Sequence, residues 1–574
     1  MARIAWIERL LSTYASITAK RAYARFVDAA RHAPSVQEVV LKRHLARHSA
    51  SDFGGAHGFD RITTYAEFTR RVPIAGYEAF APYVARLRRG DLRALLGPRQ
   101  RVLMFALTSG TTAEPKYIPV TREFLRSYQR GWNAWGVKTI LDHPNSFFRG
   151  IVQITSPMRD HETEAGIPCG AITGLLAAFQ KRLVRKYYVA PLAVADIRDA
   201  AAKYYTIMRL AAPRDVSFLV TANPTTLLRL ARVADERKES LIRDVRDGTL
   251  SRELDVPDAV RHALAPRLRP DPTAAARLHA LAERHGALRP ADYWNLSFIA
   301  HWTGGTMGLY RRFFAPWYGD VPVRDIGLLA SEGRMSVPIE DGTPSGVLDV
   351  TMQFFEFIPA DAYGTPRPPV LRCHELHHGE EYFVLLTNAT GLCRYDIGDR
   401  VRVTGWFGPT PMIEFLSKGA HTSSLVGEKL TEDQVVEAMG RAVGPDDPAV
   451  EGFVLSPRFD ETPYYALYLD ADAHAARSRD DRATLANRLD EALGAINVEY
   501  ASKRETERLD PVRLVVLPAG FLRRRDADRR AAATCRAEQF KHQFLLPRPG
   551  MDADWVANQS DAHDATIVPC VGAR

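Results

Sequence analysis

Cysteine is scarce in this chain of 574 residues, and several other familiar signals are missing. The five cysteines, Cys169, Cys373, Cys393, Cys535 and Cys570, are odd in number, widely spaced and never in a C-x-x-C pair. That pattern excludes a disulfide framework and a zinc ribbon, and it fits a reducing compartment. No stretch reaches the roughly 18–20 uncharged apolar residues that a membrane-spanning helix needs, so no membrane insertion is expected. The opening MARIAWIERLLSTYASITAK interrupts its apolar positions with Arg3, Glu8 and Arg9, which is not the pattern of a signal peptide. A cytoplasmic location is the expectation, and the sequons at Asn295 and Asn388 are then incidental. The G-x-x-x-x-G-K-[ST] loop and the G-x-S-x-G elbow are both absent, which leaves a Walker-type ATPase and a serine hydrolase without support. There is no internal repeat and no low-complexity segment.

Strong charge of either sign is also lacking. Lys and Arg number 76 against 68 Asp and Glu, a formal net charge of +8. An excess this diffuse suits small anionic substrates such as nucleotides and not a nucleic-acid groove, which needs bases clustered on one face. The densest basic run, Arg523 to Arg525 with Arg529 and Arg530, is interrupted by Asp526 and Asp528 and reads as a solvated helix start. The remainder is ordinary for a globular protein, with 46% hydrophobic and 25% charged residues. The length implies more than one folded unit.

Residues 1–100 carry apolar positions at helical spacing, as in ERLLSTYASITAKRAYARFVDAARHA and VPIAGYEAFAPYVARLRRGD. From residue 101 the pattern changes to short apolar runs: RVLMFALTSG, GIVQIT, DVSFLVTA, WNLSFIAHW, VRDIGLLAS, FEFIP, EYFVLLT and VRVTG. Helical stretches such as TTLLRLARVADERKESLIRDV separate the earlier ones, which argues for α/β sheets. The later runs lie closer together, as in an antiparallel or barrel-like section. Gly, Pro and Ser crowd residues 405–430, and a helix start follows at Thr431 with Glu432 and Asp433 in its first turn. The expected organisation is an N-terminal domain over 1–417, a hinge over 418–430 and a small C-terminal α/β domain over 431–574.

The sharpest local signal is Thr108-Ser109-Gly110-Thr111-Thr112-Ala113-Glu114-Pro115-Lys116. A strand ends at Leu107, and small hydroxylated residues with one glycine follow. Such a segment lets backbone N–H groups and hydroxyls approach phosphate oxygens, while Lys116 adds a positive charge. This stretch resembles the phosphate-binding loop of adenylate-forming enzymes. Leu329-Ala330-Ser331-Glu332-Gly333, Phe354-Phe355-Glu356-Phe357-Ile358-Pro359 and Leu392-Cys393-Arg394-Tyr395-Asp396-Ile397-Gly398-Asp399 resemble, in the right order, further signatures of the plant auxin-responsive acyl-acid amido synthetases, the GH-three family. FTRRVPIAGYEAFAPYVARLRRGD is also similar to that family. The resemblance runs from about residue 60 to the C-terminus.

The resemblance implies the adenylate-forming enzyme fold, with α/β and β-barrel subdomains and a mobile C-terminal domain. It also implies an ATP- and Mg²⁺-dependent ligase that adenylates a small carboxylic acid and passes the acyl group to an amine or amino acid. On this reading Thr108, Ser109, Gly110, Thr111 and Thr112 bind phosphate, Glu332 holds Mg²⁺ with Ser331 beside it, and Asp399 accepts hydrogen bonds from the ribose hydroxyls. Phe354 stands where the family places an aromatic, usually Tyr, that stacks on adenine, and Gly304 and Gly305 form a wall beside the purine. Lys418 replaces the family's Arg and loses the bidentate fork. Lys541, in Gln539-Phe540-Lys541, matches the catalytic lysine of the C-terminal domain; Lys116 is the second catalytic lysine. Trp132 and Trp135, on the helix after the loop, are candidates to line the acyl pocket, although bulky aromatics there also suit a core. The chain is expected to be a monomer. Two alternatives stay open, transfer to CoA or a carrier thiol, and a non-catalytic nucleotide binder. His374-Glu375-Leu376-His377-His378 satisfies H-E-x-x-H, but strand-like sequence flanks it, and the zincin pattern works only on a helix.

Overall fold

The computed structural model describes residues 20–21, 23–108, 116–180, 182–305, 313–419, 422–423, 425, 428, 430–444, 450, 452–458, 462–472, 479–505, 509–532 and 542–557. The chain divides into two compact units, one of Met1–Gly304 with Arg311–Phe415, the other chiefly of Leu416–Arg574.

The larger unit begins with helices, among them Ala33–His48, Tyr65–Arg71 and Tyr77–Arg88. The second starts at a capping box in which Thr64 and Glu67 satisfy each other's backbone N–H groups. Three sheets of four or more strands follow among the described residues, with one two-stranded hairpin besides. In the first, Val102–Thr108 lies between Lys116–Thr121, antiparallel, and Pro168–Gly170, parallel, with His161–Glu162 at the far edge. The apolar run VLMFALT forms an interior strand because Met104, Phe105 and Ala106 are wholly buried there. The second sheet is parallel throughout, in the order Gly150–Gln153, Val216–Val220, Phe298–His301 and Val323–Asp325. Helices such as Pro224–Glu236 and Lys238–Asp247 supply its connections. The helical stretch expected over this last pair is broken at Arg237, which has φ −120°.

The later, closely spaced strands form one seven-stranded sheet with edges at Ser336–Val337 and Leu371–Arg372, and five of its six neighbouring pairs are recorded as antiparallel. A continuous core joins this sheet to the first sheet and to the N-terminal helices through Phe68, Phe80, Phe105, Phe124, Phe355 and Tyr395.

The smaller unit is built on the strands Val454–Arg458, Tyr464–Asp470 and Arg513–Leu517, the first pair antiparallel and the second parallel. The helix expected after Thr431 runs Glu432–Ala442, and Thr431 and Gln434 form its capping box. The basic run lies on the helix Phe521–Ala532, where the Arg525 guanidinium covers the Trp555 ring at 4.7 Å. No helix of the described residues is long and apolar enough to cross a membrane.

Candidate active site

Thr108 and Lys116 are the last cross-strand pair of their two strands and stand directly opposite each other. The side chain of Tyr77, from the first turn of the helix Tyr77–Arg88, meets this end of the sheet. Its hydroxyl oxygen accepts from the Tyr117 N–H at 2.9 Å, and its ring centroid lies 5.5 Å from Lys116 Nζ. The Arg88 guanidinium covers the Tyr117 ring at 4.0 Å. The strand ends therefore carry an ordered group of cations and phenols. Ser109, Gly110, Thr111, Thr112 and Lys541 lie outside the described residues, as does the side chain of Lys418, whose backbone ends the strand Thr410–Lys418.

Ser331 and Glu332 occupy the two positions between the short strands Leu329–Ala330 and Gly333–Arg334, which pair antiparallel. A Cβ at Gly333 would strike the end of the buried Gln353 side chain, which would have to shift. Glu332 is buried. Tyr395 Oη donates to Glu332 Oε1 at 3.4 Å, and Asn388 Nδ2 donates to the Glu332 carbonyl at 2.9 Å. The Asn388 sequon is thus wholly buried and serves the turn. Burial raises the pKa values of the Tyr77, Tyr128 and Tyr395 phenols, and the Glu332 charge raises each further. Three elements thus bring tyrosines around one carboxylate: the helices Tyr77–Arg88 and Arg122–Asp142, and the strand Tyr395–Phe407.

The stretch leading to Asp399 forms a bulge inside that strand. Phe383 faces Arg400 and Leu385 faces Asp396, so Val384 alone stands opposite residues 397–399. Gly398 has φ +72°, and its N–H donates to Asp396 Oδ1 at 2.8 Å. Burial still alternates through the bulge, so Asp399 is buried along with Tyr395 and Ile397, and its charge also acts on the Tyr395 phenol. Arg394, which precedes the strand, holds the unusual φ of +47° for a side-chain-bearing residue. It is fixed there by its N–H to Thr387 Oγ1 at 2.9 Å and by its carbonyl, which accepts from Ala75 N at 3.2 Å. Glu332, Tyr395 and Asp399 thus form one group beside the Thr108–Lys116 strand ends. Tyr77, Arg394 and Tyr395 were not singled out from the sequence, although Arg394 and Tyr395 stand inside the signature that was.

Other expected residues sit differently. Phe354 is 2% exposed, with the rings of Tyr65 and Phe68 at centroid distances of 6.0 and 6.1 Å. Its ring is packed in the core, where it is not open to a stacked base. Trp135 is also core, and its indole N–H donates to the Asp325 carbonyl at 2.8 Å. Trp132 is half-buried, edge-on to Trp135 and beneath the Arg334 guanidinium at 4.7 Å. Gly304 and Gly305 follow the parallel strand Phe298–His301; a Cβ on Gly304 would meet the Phe415 carbonyl at 3.1 Å, and Gly305 has φ +56°. Both positions are tight turns that favour glycine. The H-E-x-x-H stretch is not helical: it links Leu371–Arg372 to Glu381–Thr387, and Glu375 is paired with Arg372 at 2.7 Å.

Among the described residues no cluster of three or more His, Cys, Asp or Glu forms a metal cage. A nucleotide-bound Mg²⁺ does not need one, because it takes one or two carboxylates together with phosphate oxygens and water. Glu332 is the buried carboxylate that could take this place.

Comparison with known proteins follows the same segments. The GH3 family N-terminal domain matches residues 22–323, the GH3 family central domain residues 346–418, and the GH3 family C-terminal domain residues 433–549. The chain is 24% identical over 518 residues to the Jasmonoyl--L-amino acid synthetase JAR6 of Nicotiana attenuata, covering 86% of this chain and 88% of that protein. It is 26% identical over 441 residues to the Indole-3-acetic acid-amido synthetase GH3.8 of Oryza sativa subsp. indica, covering 73% and 72%. Among solved structures, GH3.15 acyl acid amido synthetase superposes with a TM-score of 0.79 at 18% identity, over 92% of this chain and 94% of that one. The complex of AtGH3.15 with 2,4-DB gives a TM-score of 0.81 at 19% identity, over 93% and 95%.

Proposed function

The chain belongs to the GH3 family, and on that premise we propose that it is an ATP-dependent ligase joining a small carboxylic acid to an amine or amino acid through an acyl-adenylate. The observation that carries this reading is the meeting of Glu332, Tyr395 and Asp399 beside the Thr108–Lys116 strand ends. The synthetases it resembles are named for jasmonoyl–amino acid and indole-3-acetic acid conjugation, which supports an acid and an amino acid as the two partners.

In the first half-reaction a carboxylate oxygen attacks the α-phosphorus of ATP and pyrophosphate leaves. Negative charge builds on the phosphate oxygens, and the protein's contribution is to place cations and dipoles against it. Lys116 and the small-residue segment beside it supply that charge and those donors. Glu332 would hold Mg²⁺, which supplies charge neutralisation at the phosphates. Asp399 would accept hydrogen bonds from the ribose hydroxyls and so set the α-phosphate's position. Lys541 would contact the reacting carboxylate and α-phosphate. In the second half-reaction the amine attacks the acyl carbon and AMP leaves with the bonding pair. The mixed anhydride is open to hydrolysis, so the site must exclude water between the two steps.

The reading also makes the protein a cytoplasmic monomer. Acid-dependent exchange of pyrophosphate into ATP tests the first half-reaction, and trapping products with amino acids against CoA tests the second. Exchange with amide formation supports the reading; exchange with thioester alone redirects it to a thiol acceptor.

A further inference from the structure

Asp325 ends the last strand of the parallel sheet, beside His301 in register. The carboxyl end of such strands is where a sheet of this kind presents ligand-binding loops. Asp325 is only 3% exposed, and its carboxylate is divided between two loops. Oδ2 accepts from both the N–H and the Oγ1 of Thr303, at 2.6 and 2.7 Å, and Oδ1 accepts from the Gly327 N–H at 2.6 Å. Thr303 opens the Gly304–Gly305 turn, while Gly327 opens the run that ends at Ser331 and Glu332. Trp302 adds a second strap, its indole N–H donating to the Gly327 carbonyl at 2.9 Å. Trp135 donates to Asp325's own carbonyl, so the clamp is anchored to the helix that carries Tyr128 and Trp132. At Gly327, with φ +90°, a Cβ would strike the Ser336 carbonyl, so this loop can take few other shapes.

We propose that Asp325 is a positioning residue for the nucleotide, its ionised carboxylate locking the Thr303–Gly305 turn to the Gly327–Glu332 run so that purine wall and phosphate-side carboxylate keep one geometry. This rests on the reading of those two segments as the nucleotide's contacts. All three partners, two backbone N–H groups and the Thr303 hydroxyl, donate to the carboxylate, so the lock is strongest with the acid ionised. The charged and titratable groups around it come from three elements. Arg334, on the hairpin strand, draws the Asp325 pKa down, and His301 is held neutral by burial, its pKa lowered to about 4. Helix Arg122–Asp142 contributes the uncharged Trp135 indole at the Asp325 carbonyl and the Tyr128 phenol, which acts on Arg334. Burial outweighs these donors and raises the Asp325 pKa to about 6. The sign follows. As pH falls through about 6 the folded protein takes up a proton that the unfolded chain takes up only lower, so this group's contribution to stability rises while the lock opens. Nucleotide affinity and stability should therefore move in opposite directions on acidification, a divergence that a merely structural carboxylate would not produce.

The test uses the full chain as wild type, Asp325→Asn and Thr303→Val, with folding checked by thermal melt. ATP affinity is measured by calorimetry from about pH 5 to pH 7, and acid-dependent pyrophosphate exchange is measured alongside. In wild type, ATP affinity should fall roughly tenfold between about pH 7 and pH 5, the change expected for a required group titrating near 6. Asp325→Asn should start about tenfold weaker at pH 7 and lose that pH dependence relative to wild type, with kcat of exchange at saturating ATP changed much less than KM. Thr303→Val, which keeps two of the donors, should weaken binding less and retain the dependence. A folded Asp325→Asn with wild-type affinity, or with the wild-type pH profile, overturns the proposal. Wild type that binds ATP but supports no exchange with any acid overturns the ligase reading instead, and the calorimetry still decides the role of Asp325.

Discussion

Arg394 Nε lies 3.1 and 3.0 Å from the two carboxylate oxygens of Glu356, with both side chains buried. Arg394 Nη1 also donates to the Val72 carbonyl at 3.0 Å, and Tyr65 Oη donates to Glu356 at 2.8 Å. The pair thus joins the third signature to the FFEFIP strand and to the helix Tyr65–Arg71. It holds the strained Arg394 backbone that leads into Tyr395 and Asp399.

Removing one partner of such a pair leaves the other charge buried and uncompensated, which typically costs about 3–5 kcal/mol. Glu356→Ala should destabilise the larger unit by that order in denaturant melts, and Glu356→Gln by less, since it keeps an acceptor. A loss below about 1 kcal/mol for Glu356→Ala would mean that the pair does not hold this region together.

Asp399 is expected to bind the ribose. Losing a charged acceptor typically costs about 1.5–3 kcal/mol, or roughly ten- to a hundredfold in affinity. Asp399→Ala should weaken ATP binding by that factor and leave a 2′,3′-dideoxy analogue nearly unaffected. Equal discrimination between the two nucleotides by mutant and wild type would remove Asp399 from the ribose.

Lys541 is assigned through the family's C-terminal stretch alone. If it acts on the transition state, Lys541→Ala should slow pyrophosphate exchange strongly while ATP affinity stays near wild type. Unchanged exchange would place the reacting carboxylate's cation elsewhere.

What could be read from the sequence follows the range of the signal. The strands around VLMFALT, VSFLV and YFVLLT were legible because local composition dictates them. Thr108, Lys116, Glu332 and Asp399 were named through the resemblance to family signatures, and the structure ties Glu332 and Asp399 to the same Tyr395 phenol. Which face a side chain takes was not. All but the last residue of Phe354–Pro359 are buried, so the strand shows no alternation, and nothing in FFEFIP says that Phe354 packs on Phe68. Tyr77 escaped because its partner lies far off in the chain, at Tyr117, and Asp325 because its carboxylate joins Gly327 to the distant Thr303. The Asp followed two residues later by Gly in VRDIG was the one available hint.

The hinge expected over 418–430 can be narrowed. Within the smaller unit, Thr422–Ser423 pairs with Leu430–Thr431, and buried Glu428 binds back into it. Its Oε1 accepts from Leu425 N at 2.6 Å and from Tyr465 Oη at 2.5 Å, and its carbonyl accepts from Asn497 Nδ2 at 3.0 Å. We therefore propose that a hinge, expected over 418–430, lies ahead of residue 422. If the two half-reactions use different domain positions, Gly419→Pro should change exchange and amine-dependent AMP release by different factors in a folded protein. Equal changes in both rates would leave alternation without support.

The central claim is that one site adenylates an acid and then forms an amide. The most direct measurement is pyrophosphate exchange across aryl, indolyl, jasmonate-like and fatty acids, run on wild type and on Glu332→Gln, with the product of each active acid identified after adding amino acids. The account predicts acid-dependent exchange in wild type, its loss by at least about a hundredfold in Glu332→Gln, and an acyl–amino acid amide with AMP released in equal amount. Nucleotide binding with no exchange from any acid, or exchange that Glu332→Gln leaves intact, would contradict it.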